Sequence, residues 1–180
     1  MKIDDIRTYC IGSKTRWLKC IPIKINILAW KVKMDALPSR LNLSKRGMEI
    51  NSLSCPICDL GVESTTHLFF GCRFVNDVYH KIASWWDMSY SRCSTFEEWW
   101  HWLLSIRLPA KLKEVFEGVI YITWWAIWGF RNKALFDKTQ PSKEMLFDNI
   151  RSWSFTWCKF RCKASFNWID WLKNPNLIIL

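Results

Sequence analysis

The sequence predicts a mainly α-helical bundle carrying one small irregular knuckle, and three observations lead to that expectation. Apolar residues recur at helical spacing in several separate stretches. Half of the 180 residues are hydrophobic and fourteen are tryptophan, which supports a core built from large aromatic side chains. The stretch CPICDLGVESTTHLFFGC, residues 55–72, crowds three cysteines and a histidine between two helical regions.

The elements follow in order. Residues 22–37, PIKINILAWKVKMDAL, place Ile23, Ile27, Trp30, Met34 and Leu37 at alternating spacings of four and three. That is the apolar face of an amphipathic helix, with Pro22 in its first turn and Lys24, Lys31 and Lys33 mostly off the face. Pro38 ends it, Ser39 caps a second short helix through Arg46, and Gly47 supplies a left-handed stop. MEINSLSC (48–55) has no helical face and reads as an extended arm into the knuckle.

Beyond the knuckle, Phe74, Val78, Ile82 and Trp85 mark another helix. Ser94 with Glu97, and Thr95 with Glu98, fit a capping box ahead of EEWWHWLLSI. Pro109 breaks the chain before a helix of about 25 residues starting at Ala110. After Pro141–Ser142, Leu146, Ile150, Trp153, Trp157 and Phe160 carry a last helical run that Asn174–Pro175 stops. Polar and small residues at Asp87–Thr95 suggest a division into a lead-in (1–16), a cysteine-bearing part (17–88) and a Trp-rich helical part (94–180).

The knuckle reads C-x2-C-x8-H-x4-C. A C-x2-C pair presents two thiolates from one tight turn to a tetrahedral ion. Pro56 restricts that turn, Gly61 lets the chain reverse, and Ser64 caps a helical turn that projects His67. Positions five apart on a continuous helix lie about 140° out of phase, so His67 and Cys72 converge only if the helix stops first. Gly71 stands where such a stop is needed. Cys55, Cys58, His67 and Cys72 then form a closed shell of three soft sulfurs and one imidazole, which suits one structural Zn2+. Glu63, the nearest acid, reads as a solvated loop residue. Cys158 and Cys162 read as buried inert thiols, Cys10, Cys20 and Cys93 lack partners at useful spacing, and His80 and His101 read as packing residues among aromatics.

The net charge of +10 is uneven: residues 1–50 carry 11 basic and 4 acidic side chains, residues 51–100 carry 3 and 6. Basic ends suit a polyanion such as nucleic acid, or equally a solubilising face over a very apolar protein. Acidic residues at positions 4 and 5 interrupt any N-terminal secretion signal, and VIYITWWAIWGF (119–130) is short of the ~20 residues a membrane span needs. The expectation is an intracellular protein of the nucleus or cytoplasm, neither secreted nor membrane-bound, in a compartment where cysteines favour metal over disulfides.

Four stretches together carry a family resemblance: IPIKINILAWKVKMDALPSRLNLSKRGMEI (21–50), the CPIC…ES..HLFF.C set (55–72), TWWAIWGFRNKALF (123–136) and SFNWIDWLKNP (165–175). They resemble the reverse transcriptase zinc-binding domain at the C-terminal end of plant LINE-type (non-LTR) retrotransposon polyproteins. The resemblance runs from about Trp17 to the end of the chain, and it implies the same four zinc ligands. It also implies an accessory module that assists binding of RNA or DNA, with a reverse transcriptase polypeptide as a possible partner. Basic candidates for phosphate contact are Lys24, Lys31, Lys33, Arg40, Lys45 and Arg46. A polymerase needs paired catalytic aspartates in a palm domain. The only adjacent pair is Asp4–Asp5, so the sequence reads as a C-terminal fragment without a polymerase active site and not as an enzyme. Two alternatives stand beside the nucleic-acid reading. One is a structural or protein-interaction domain with Trp99, Trp100 and Trp102 as an exposed patch, and the other is a retroelement remnant without function.

Overall fold

A computed structural model describes residues 16–139, 141–162 and 165–178. Asp4, Asp5, Cys10 and nearly all of the proposed lead-in lie outside the described residues. Among the described residues seven α-helices follow one another: α1 (Ile23–Lys33), α2 (Arg40–Lys45), α3 (Arg73–Trp85), α4 (Phe96–Ser105), α5 (Ala110–Phe136), α6 (Lys143–Cys162) and α7 (Trp168–Lys173). A π-helical turn, His67–Gly71, precedes α3, and a 3-10 turn, Pro175–Leu177, follows α7. Among the described residues there is no strand, only an isolated antiparallel bridge between Ser54 and Val62. The protein is mainly α. No described helix is long and apolar enough to cross a membrane.

The 27-residue α5 is the axis of the bundle, with α1 and α6 packed against it. Its run from Gly118 to Trp124 is wholly buried, which is why this stretch is apolar on every side. Trp86, Trp99, Trp124 and Trp171 are fully buried. Several indoles find acceptors: Trp85 Nε1 donates to Trp171 O at 2.7 Å, Trp171 Nε1 to Arg151 O at 3.0 Å, and Trp124 Nε1 to Tyr79 Oη at 2.8 Å. Edge-on ring pairs knit α3 to α5 and α7, such as Trp86 against Phe116 at 4.9 Å and Trp85 against Trp171 at 5.2 Å. The apolar core is continuous across residues 87–95.

The caps follow the sequence. Ser39 Oγ accepts from Asn42 N at 3.3 Å, and Gly47 has φ of +84°. Thr95 Oγ1 accepts from Glu98 N at 3.2 Å, while Glu98 Oε2 accepts from Ser94 N at 2.7 Å.

Other expectations are corrected. The stripe Ile23, Ile27, Trp30 and Met34 faces outward, and α1 buries Ile25, Asn26, Leu28, Ala29 and Val32 instead. The helix is apolar on two sides, and small Ala29 and branched Val32 suit its approach to α5. α1 also stops before Pro38 does any work, because Asp35 adopts φ of +48° and Ala36 N returns to Lys31 O at 2.8 Å. The last helical run is two helices, since α6 ends at Cys162 and Asn167 starts α7 by accepting from Asp170 N at 2.8 Å. On α6 the buried line is Leu146, Ile150, Ser154 and Cys158; Trp153 and Trp157 are half-buried and Phe160 is exposed.

The Trp99–Trp102 patch does not form, because Trp99 is buried and Trp100 and Trp102 are half-buried. His80 and His101 are exposed rather than packed. Cys20 does have partners. An added Cβ on Gly118 would stand 3.0 Å from Cys20 Sγ and 3.9 Å from Cys158 Sγ, so a glycine of α5 makes the room two distant thiols share.

Candidate metal centre

The knuckle is built from a turn, a bridge and a broken helix. Cys55 N donates to Gly61 O at 2.7 Å, and Asp59 N donates to Cys55 O at 2.9 Å. Asp59, with φ of +55°, makes the left-handed step that turns the chain back so that Gly61 O meets Cys55 N. The Ser54–Val62 bridge closes the loop behind them. Ser64 Oγ then accepts from His67 N at 3.0 Å and starts the turn that carries the imidazole. The turn widens to π geometry, with Cys72 N bonded to His67 O at 2.6 Å. That widening is the means by which residues five apart reach one point. Cys72 itself is extended and begins α3.

Both glycines act differently from their sequence reading. Among the described glycines only Gly47 has positive φ, so neither Gly61 nor Gly71 serves as a left-handed hinge. Gly61 leaves room for the ligand ring, since an added Cβ would lie 3.0 Å from His67 Cε1. Gly71 similarly passes close to Ser94 O, 3.3 Å from such a Cβ.

The ligand atoms of Cys55, Cys58, His67 and Cys72 all lie within 4.8 Å of one another. Cys58 Sγ and His67 Nε2 are 3.3 Å apart. Zn–S bonds of about 2.3 Å in a tetrahedron put sulfurs about 3.8 Å apart, so the four donors fit zinc with little movement. Cys55 and Cys72 are completely buried, and Cys58 and His67 are partly so. The Cys55 thiol is lowered to about 5, first by the bond from the Cys72 thiol; burial opposes this, and the N–H groups of Ile57 and Cys58 assist it. Cys72 is pushed up, first by that same bond and then by burial. Zinc held by these donors would displace the thiol protons, so its uptake would weaken as pH falls.

Two buried polar groups hold this centre, and the sequence reading missed both roles. Glu63 is wholly buried, not solvated. Its Oε1 accepts from Arg131 Nη2 at 2.6 Å, from Arg131 Nε at 3.1 Å and from the Arg40 backbone N–H at 3.0 Å. It therefore ties the knuckle to α5 and to the start of α2. A signal for Arg131 was present: Ile120, Trp124 and Ile127 precede it at spacings of four and three on a buried stripe. A cation at the next position of such a stripe needs a buried anion.

Asn76 is the second group. Its Nδ2 donates to Phe70 O at 2.7 Å and Cys93 O at 3.0 Å, and its Oδ1 accepts from Tyr90 Oη at 2.7 Å and Cys93 N at 3.1 Å. It clamps the π turn, and with it Cys72, to the 90–93 segment. Nothing in RFVNDVY distinguishes this asparagine from an exposed one. Asn76→Ala strands several buried groups and is expected to cost about 3 kcal/mol in urea unfolding. Chelator competition should also show about tenfold weaker zinc binding. A loss below about 0.5 kcal/mol would show that water replaces the side chain freely.

Of the six basic candidates, Lys24, Lys31, Lys45 and Arg46 are exposed. The other two are engaged internally. Arg40 Nη1 donates to Ser54 O at 2.7 Å, and Lys33 Nζ donates to Tyr121 Oη at 2.6 Å.

With this geometry established, comparison with known families gives a match. Residues 4–79 match the family described as zinc-binding in reverse transcriptase. The matched segment holds all four candidate ligands, α1, α2 and the start of α3 through Tyr79. That part of the chain is therefore similar to a zinc-binding domain found in reverse transcriptases, and no catalytic polymerase domain is identified beside it. No curated protein and no solved structure matches the chain.

Proposed function

We propose that the chain is a zinc-stabilised accessory module derived from the reverse transcriptase of a plant LINE-type retrotransposon, and that it assists binding of RNA or DNA. The observation that carries this reading is a closed Cys3His cluster inside the segment similar to the reverse transcriptase zinc-binding domain. Zinc here is structural: four protein donors leave no open position for a reacting water. The reading treats 17–88 as the zinc-binding part and 94–180 as the Trp-rich support, and assigns no polymerase chemistry to either. It places the protein in the nucleus or cytoplasm, where nucleic acid and a reverse transcriptase polypeptide are available as partners.

Exposed Lys24, Lys31, Lys45 and Arg46 support phosphate contact, whereas the knuckle loop with Asp59 does not. Four such contacts on single-stranded RNA give a log–log salt slope of about −3. Fluorescence anisotropy of zinc-loaded protein with a 20-nucleotide oligouridylate should show that slope. The double variant Lys45→Ala, Arg46→Ala should flatten it by about 1.4. Binding indifferent to salt, or absent for both RNA and DNA, would remove the nucleic-acid reading.

A further inference from the structure

α1 carries an apolar face that nothing among the described residues covers. Ile23 is 69% exposed, Ile27 40%, Trp30 41% and Met34 47%. Their spacing of four, three and four is the seam of a heptad repeat, and the opposite side of the same helix is already buried. A helix apolar on both sides is one that packs on both sides. At 11 residues α1 is about 16 Å long, enough for three turns of a facing helix.

The charges beside the seam select the occupant. Lys24 and Lys31 follow Ile23 and Trp30 directly and occupy equivalent flanking heptad positions, both exposed. On the opposite flank Lys33 turns inward to Tyr121 Oη, and the buried Asn26 adds no negative charge there. A second copy docked by this seam would bring flanking lysines against lysines, in a chain already at +10. A nucleic acid would find only Trp30 to stack on, since Ile23, Ile27 and Met34 offer no π face.

We propose that this face of α1 docks an amphipathic helix of a partner protein whose flanking positions are acidic. The surface shares Lys24 and Lys31 with the nucleic-acid reading, but its apolar seam does not rest on that reading and stands if it fails.

The test uses the full-length zinc-loaded chain and two synthetic helical peptides. Both carry leucine at the seam positions, one with glutamate and one with lysine at the flanking positions. Calorimetry should show the glutamate peptide binding at least tenfold tighter than the lysine peptide. Ile27→Asp should weaken the glutamate peptide at least tenfold while leaving the helical circular dichroism unchanged. The exposed double variant Lys24→Glu, Lys31→Glu should reverse the preference between the two peptides. Equal binding of both peptides, or binding of neither, overturns the proposal. A dimer in sedimentation that Ile27→Asp dissociates assigns the face to a second copy and also overturns it. Competition by oligouridylate that Ile27→Asp abolishes assigns the face to nucleic acid, with the same consequence.

Discussion

Glu63→Ala should destabilise the zinc-loaded protein by about 3–5 kcal/mol, measured by urea unfolding at neutral pH. The alanine leaves the Arg131 guanidinium, 4% exposed and held at 2.6 Å by Glu63, with no counter-charge in the core. Arg131 would keep only Asn132 Oδ1, at 3.0 Å, and the ring of Trp128, 4.7 Å away. A lone buried cation costs far more than its pair contributes, because most of the pair's attraction only offsets desolvation. The double variant Glu63→Leu, Arg131→Met removes both charges and should therefore recover most of the loss. If the single variant costs under 1 kcal/mol, water reaches Arg131 and the pair does not tie the knuckle to α5.

Removing the metal should have the larger effect. Apparent binding energies of structural zinc in small domains are about 10–16 kcal/mol, comparable with the whole stability of a domain. A chelator, or Cys55→Ser, is expected to lower the melting temperature steeply and strip amide protection from residues 51–72. The loss should spread inward, because Phe69 and Phe70 belong both to the π turn and to the core around Trp124. The buried middle of α5 should be the last region to lose protection. Native mass spectrometry should count one zinc per chain. Gly61→Ala offers a gentler probe: its methyl group would press on the His67 ring, so affinity should fall while the fold persists with excess zinc. Unchanged hydrogen exchange after chelation would mean that the aromatic core holds the knuckle without metal.

The knuckle was readable because its information is local. The C-x2-C turn, the Ser64 cap and the spacing to Cys72 are set within 18 residues, and the ligand chemistry of thiolate and imidazole does the rest. Even there the pattern misplaced the cause, since a π turn rather than a left-handed glycine brings Cys72 to His67. Turns made by Asp35, Asp59 and Asp87 were also silent, because aspartate enters the left-handed region without marking the sequence as glycine does.

Periodicity failed where a helix has two apolar sides. In α1 the regular stripe of Ile23, Ile27, Trp30 and Met34 outshone Ile25, Leu28, Ala29 and Val32, and only packing on α5 chose between them. Local spacing could not choose, since both stripes satisfy a helical period. The buried polar groups failed for a related reason. Glu63 and Arg131 are 68 residues apart, and Asn76 meets Cys93 across 17. By itself the sequence determined the helical class, most of the capping residues and which four side chains gather as candidate metal donors, because each depends on neighbours along the chain. Tertiary structure alone decided which face of α1 is covered, that Glu63 is a buried anion, and that Asn76 clamps the ligand turn. Those depend on which segments meet, and burial then sets what every charge and amide must find as a partner.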